Sequence, residues 1–315
     1  MDSIKNRKIN EIIGQLKLIW KEPLLLILIV VIFYFLITFI LFPILQVIKY
    51  SVFIDGKWDF SNYAAIFSKR YYNQPFINSI LLGVITATIG TIAGFMFAYA
   101  LTRTPIPFKN FFRLTATFPI ISPPFIVALA AILLFGRAGS LTPWLKSIIG
   151  NYSIYGLGGL VLVETIAYSP TAFLVLYGIL EAIDPSLEEA SMDLGASWLK
   201  VFSTVTLPLA TPGIASAWLL LFIQSLADFG NPMVISGNFR VLSVQAYLQI
   251  TGMYDLPRGS TLAMLLLIPT ITAFFLQRYW VSRKSYVTVT GKPTGATIKN
   301  LSWYIKFPIY SACII

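Results

Sequence analysis

The chain has 315 residues, of which 57% are hydrophobic and 11% charged, and its mean hydropathy is +0.77. Soluble domains carry about a quarter of their residues as charges, so this composition excludes a water-exposed globular surface and describes an integral membrane protein. The net charge of +10 is dispersed at the ends of apolar runs, which suits membrane lipid and not nucleic acid, while a single cysteine, Cys313, and no histidine leave no disulfide framework, Cys/His metal site or histidine proton relay within the chain.

A helix crosses a bilayer with roughly 20 largely apolar residues. Six stretches meet or approach that length, at about residues 24–48, 76–101, 114–135, 156–180, 211–235 and 259–280. The amino terminus has a basic flank and a long apolar run without a small-residue cleavage site, so it reads as a retained first helix. With residues 1–23 placed in the cytoplasm, the inside segments carry Lys5, Arg7, Lys8, Lys17, Lys21, Arg103, Lys109, Arg113, Lys200, Arg278, Arg283, Lys284, Lys292 and Lys299. The outside segments carry Lys49, Lys57, Lys69, Arg70, Arg137, Lys146, Arg240 and Arg258. The inside excess favours a six-helix unit over 24–280 with both ends cytoplasmic.

In the second span Gly83, Ala87, Gly90, Gly94 and Ala98 form a small-residue stripe, including one G-x-x-x-G, that permits close helix approach. Pro119 and Ser122-Pro-Pro124 break the third span, which predicts a kinked helix whose freed carbonyls face protein or water. Ionisable groups in a membrane are costly and usually face a cavity or partner. Glu164 in the fourth span, and Gln224, Asp228 and Asn231 at the outer end of the fifth, are therefore candidates for a substrate pathway. A helix cap and turn at the membrane surface explains the run Ala227–Met233 equally well, and both readings stay open.

Between the fourth and fifth spans, residues 181–208 hold Glu181, Asp184, Glu188, Glu189 and Asp193, five of the thirteen carboxylates. Asp184 with Pro185 is an N-cap followed by a preset first helical position, and Ser186 with Glu189 offers an overlapping capping box. Gly195 supplies a helix stop. Leu187, Ala190 and Leu194 share one face of the first short helix, and Trp198, Val201, Phe202 and Val205 share one face of a second, which Leu207-Pro208 is expected to end. The charge bias places this loop on the cytoplasmic side, within reach of a soluble partner.

The spacing Glu189-Ala190, Gly195, Val205 and Leu207-Pro208 resembles the EAA loop of binding-protein-dependent ABC importer permeases, written E-A-A-x3-G-x9-I-x-L-P, with Ser191 for the second Ala and Val205 for Ile. Asp193–Ser197 and Pro208–Ile214 extend the resemblance. The stretches Ser225–Ile235, Gly237–Leu242 and Arg283–Lys292 are similar to the ferric-iron branch, whose wording is shared by permeases for aminoethylphosphonate, thiamine and polyamines. Over about residues 60–292 the resemblance implies an all-α, six-transmembrane type I importer bundle (core 76–280) in the bacterial cytoplasmic membrane. It implies cytoplasmic ATPase subunits gripping a coupling loop through Glu188, Glu189, Ala190, Asp193 and Gly195. It also implies an extracytoplasmic substrate-binding protein and a second permease half. Trp198, Val201 and Phe202 would tie the loop to its own membrane domain.

The chain has no G-x-x-x-x-G-K-[ST], and Gly291-Lys292 is followed by proline, so ATP and its Mg are expected on the partner subunit and no cofactor or metal on this one. After Lys292, residues 281–315 read as a cytoplasmic linker. Its closing run Phe307–Ile315 is too short to cross a bilayer, and it is either the start of a second half or a short tail of a homodimerising chain. An ion-coupled secondary transporter would need clustered mid-membrane carboxylates, of which Glu164 is the one candidate, and a mere scaffold would leave the acidic loop without a partner.

Overall fold

A computed structural model of the chain describes residues 22–54, 56–123 and 125–281. Residues 1–21, Asp55, Pro124 and the linker beyond 281, with Cys313 and the Arg283–Lys292 stretch, lie outside them. Helix α1 (Pro23–Val52) leads through a two-stranded hairpin, β1 (Phe53–Ile54) and β2 (Lys57–Trp58), into the short α2 (Ser61–Ser68). Then follow α3 (Arg70–Arg103), α4 (Lys109–Ile121), α5 (Ile126–Phe135), α6 (Thr142–Ile149) and α7 (Leu157–Ala182). The carboxyl-terminal part comprises α8 (Pro185–Asp193), α9 (Trp198–Ala227), α10 (Gly230–Ile235), α11 (Leu242–Thr251) and α12 (Leu256–Tyr279).

Among the described residues five helices, α1, α3, α7, α9 and α12, are long and apolar enough to cross a membrane, and the bent pair α4 and α5 makes a sixth if it counts as one span. The break expected in the span at 114–135 is present, as two helices meeting at 101°. Ser122 precedes Pro123 and is extended (φ −74°, ψ 141°), because the proline ring crowds the helical conformation of the residue before it.

The bundle is built on α3, α7 and α9. Their shared core contains Ala87, Ala98, Leu101, Ala172, Phe173, Leu176, Ala217 and Leu221. All five residues of the small-residue stripe are buried. A Cβ on Gly90 would stand 2.6 Å from Leu221 of α9, and one on Gly94 would stand 2.7 Å from the backbone nitrogen of Phe173 in α7. Glycine is required at position 94 because the backbone of α7 occupies the space, while at position 90 the end of the Leu221 side chain fills it. A second apolar cluster joins α3, α5, α7 and the α10–α11 region through Leu82, Ala128, Leu160, Val163, Ile235 and Val244, and a third joins α2, α11 and α12 through Ile66, Leu242 and Leu262. The apolar window of α1 is exposed all round. Such a helix is stable only in hydrocarbon or against another apolar partner.

The fifth span differs from its expected limits of 211–235. Leu207-Pro208 does not stop the second loop helix: α9 runs unbroken from Trp198 to Ala227, with a π turn over Phe202–Thr206 immediately before the proline. Proline in a helix collides with the carbonyl four residues back. The π turn, in which the Leu207 N–H donates to the Phe202 carbonyl, takes up that collision. At the other end α9 stops at Ala227, and the chain leaves the helical path after Asp228, whose ψ is 125°.

Candidate coupling loop and membrane polar cluster

The acidic loop is a helix, a turn and a helix start. Asp184 Oδ1 accepts the Ser186 N–H at 2.9 Å, with Pro185 in the first turn of α8. The other end is closed by a Schellman motif: the Gly195 N–H donates to the Met192 carbonyl at 2.8 Å and the Ala196 N–H to the Ser191 carbonyl at 3.1 Å. Gly195 adopts φ +85°, a conformation that glycine takes without strain.

On one side the loop is fastened to the bundle. Glu188, expected on the partner-facing surface, is buried instead, and this corrects its assignment. Its Oε1 lies 3.1 Å from Arg103 Nε, and the two side chains are 1% and 2% exposed. The same oxygen accepts from Thr206 Oγ1 at 2.8 Å, and Arg103 Nη2 donates to the Ile183 carbonyl at 3.3 Å. A charge buried this deeply must be paired and hydrogen-bonded, so Glu188 cannot also serve an external partner. The second helix is held as expected: Trp198 Nε1 donates to the Tyr99 hydroxyl at 3.1 Å, Trp198 stacks on Phe202 at 5.8 Å, Phe202 meets Tyr99 edge-on at 5.6 Å, and Val201 is buried.

The opposite side is largely exposed among the described residues. Leu187, Ala190, Asp193, Leu199 and Lys200 are exposed, Leu194 is 90% exposed, and Glu189 is half-buried. The shared face of Leu187, Ala190 and Leu194 therefore points away from the protein, with Asp193 beside it. An apolar, acid-edged knob on a rigid base suits a cleft with basic residues.

Inside the bundle, Glu164 of α7 is completely buried and bridges two neighbours: its Oε2 accepts from Thr86 Oγ1 of α3 at 3.1 Å and from Ser225 Oγ of α9 at 2.5 Å. Its Oε1 has no partner. Asp228 is buried, accepts from the Asn231 N–H at 3.2 Å and Asn231 Nδ2 at 2.8 Å, and so caps the turn into α10. Asn231 is also buried. Gln224 Nε2 reaches Thr171 Oγ1 at 3.4 Å, while Gln224 Oε1 and Asn231 Oδ1 are unpartnered. The cap expected at Asp228 thus forms, and it is buried. No group of three or more His, Cys, Asp or Glu side chains gathers in metal-binding proximity among the described residues.

Sequence reasoning counted Arg103 only as a cytoplasmic charge and missed Tyr99, Thr86, Ser225 and Thr206. The isolated arginine ending an otherwise uncharged span was the available signal, but nothing in one sequence names its partner 85 positions away.

Comparison with known proteins converges on one group. The family described as "Binding-protein-dependent transport system inner membrane component" matches residues 88–286. The chain is 34% identical over 276 residues to "Putative ferric transport system permease protein FbpB 1" of Haemophilus influenzae, a match covering 86% of this chain and 44% of the relative. It is likewise 34% identical to "Ferric transport system permease protein FbpB" of Actinobacillus pleuropneumoniae, covering 86% of this chain and 40% of the relative. The chain thus spans less than half the length of these two relatives. In fold it is similar to a chain of a bacterial ABC transporter involved in import of the acidic polysaccharide alginate, with TM-score 0.72, 14% identity and coverage of 87% of this chain and all of the other.

Proposed function

Because the chain belongs to the family of binding-protein-dependent transport system inner membrane components, we propose that it is the transmembrane permease of an ATP-driven importer and that ferric iron is its substrate. The observation that carries the reading is the loop at 184–201: one side is welded to the bundle by Arg103–Glu188 and Trp198–Tyr99, and the other leaves Leu187, Ala190, Asp193 and Leu194 exposed among the described residues. Cytoplasmic ATPase subunits bind that exposed side, with Asp193 and Glu189 meeting basic residues of the cleft. ATP and Mg belong to those subunits.

An extracytoplasmic receptor delivers the substrate, and a second six-helix bundle completes the pathway. Both ends of the bundle face the cytoplasm, in keeping with the excess of basic residues on the side of the loop. Closure of the ATPases draws two loops together and rocks the bundles between inward- and outward-open forms, which must lie within a few kcal/mol of each other for nucleotide to bias them. Glu164, Gln224, Asp228 and Asn231 supply the oxygen atoms that a cation would meet on its way through, consistent with the unpartnered acceptors on Glu164, Gln224 and Asn231. The 34% identity to two ferric transport permeases favours iron over phosphonate, thiamine or polyamine.

Uptake of radiolabelled ferric iron in a strain lacking this gene tests the substrate. Iron uptake is expected to fall and to return with the gene, and unaltered iron uptake alongside lost polyamine uptake overturns the assignment.

A further inference from the structure

What the loop moves is decided by what it is bonded to. Both halves of the loop are fastened to the last two turns of α3. Arg103 holds α8 through Glu188 and holds the segment entering α8 through the Ile183 carbonyl. Tyr99, one turn earlier on the same helix, holds the start of α9 through Trp198 and Phe202. Thr206, presented by the π turn, closes the ring back onto Glu188.

Cohesion alone does not call for this arrangement, because apolar residues of similar volume hold a buried contact as well as an ion pair does. The pair contributes fixed geometry. Two buried, hydrogen-bonded charges cannot slide apart without leaving one unpaired in a nonpolar setting. Further along α3, buried Gly94 puts its backbone directly on α7: a Cβ there would stand 2.7 Å from the Phe173 backbone nitrogen and 2.7 Å from the Ala172 Cβ. Contact this close leaves little side-chain slack to absorb a displacement.

We propose that Arg103 and Glu188 are positioning residues that lock the loop and α3 into one lever, so that a displacement of the loop, which is continuous with α7 and α9, carries α3 along with them. The proposal rests on the loop being the ATPase dock. Its consequence is that loss of the lock separates ATP hydrolysis from transport, whereas loss of the dock prevents assembly.

The test uses the complex assembled on the full chain, comparing wild type, Arg103→Lys and the apolar pair Arg103→Met with Glu188→Leu, and reads substrate moved per ATP hydrolysed. The apolar pair is expected to assemble and hydrolyse ATP while moving at least ~10-fold less substrate per ATP, with Arg103→Lys, which keeps the charge, in between. A wild-type ratio in the apolar pair overturns the proposal. Should that variant fail to assemble, spin labels at the exposed Met96 and Ser186, in a Cys313→Ser chain with both bonds of the joint intact, decide the matter. Their separation should hold within about 2 Å between nucleotide-free and ATP-trapped complexes, and a change beyond about 5 Å, the scale of a one-turn shift, overturns the lever. If the wild-type chain retains no ATPase subunit at all, it is the docking assignment that fails.

Discussion

A single buried oxygen, Glu188 Oε1, receives hydrogen bonds from both Arg103 and Thr206, so truncating Glu188 strands an arginine in the protein interior. Removing one partner of such a pair costs about 3–5 kcal/mol, and Glu188→Ala is expected to unfold at a markedly lower temperature in detergent than Asp193→Ala, which lies on the exposed side. Equal melting temperatures would contradict the buried role. Gly195 predicts a different outcome. Its φ of +85° is strained for a β-branched residue, by about 1–3 kcal/mol, while a Cβ there meets nothing within 4 Å. Gly195→Val should therefore insert normally yet lose uptake, because the turn that presents Leu194 is altered; full uptake would argue against the docking role. Glu164→Gln should keep the bridge to Thr86 and Ser225 but put an amide nitrogen in place of the unpartnered Oε1, so the protein should insert and melt normally while uptake falls. Unchanged uptake would take Glu164 off the pathway. At this scale the sequence carried the cap at Asp184 and the stop at Gly195 in local chemistry, and the anchor at Trp198 through the family resemblance. It could not carry Glu188 against Arg103, because two neighbouring glutamates read alike until the fold selects which one turns inward.

At the scale of elements, the contact of α3 with α7 predicts its own sensitivity. Gly94→Val drives side-chain atoms into the Phe173 backbone and is expected to destabilise by at least the ~1–3 kcal/mol of an overpacked core. Gly178→Ala on α7, where a Cβ meets nothing within 4 Å, should be neutral or slightly stabilising. Thermal unfolding of the two purified variants separates them, and a matching loss at both positions would show that helix propensity, not close approach, governs. The stripe was readable because small residues at helical spacing have few other uses in lipid. The course of α9 was not: proline predicted an end at Leu207-Pro208, and a π turn removed the collision that would have made one. Likewise Ser122-Pro-Pro124 announced a break in the third span without fixing its 101° angle, which depends on what packs around α4 and α5.

Over the whole molecule, composition and hydropathy gave an all-α membrane bundle, and the family match and the alginate-importer fold agree with it. The short helices α6 and α11 went unforeseen because eight to ten residues leave a weak periodic trace. Everything proposed about function depends on the loop facing the cytosol and being gripped there. The most direct measurement places a single cysteine at Leu194, the most exposed of the large apolar side chains among the described residues, in a Cys313→Ser chain, and treats membrane vesicles of either orientation with a membrane-impermeant thiol reagent. Labelling is expected only in inverted vesicles, and it should be suppressed when the ATPase subunits are present. Labelling from the extracytoplasmic side would contradict the account.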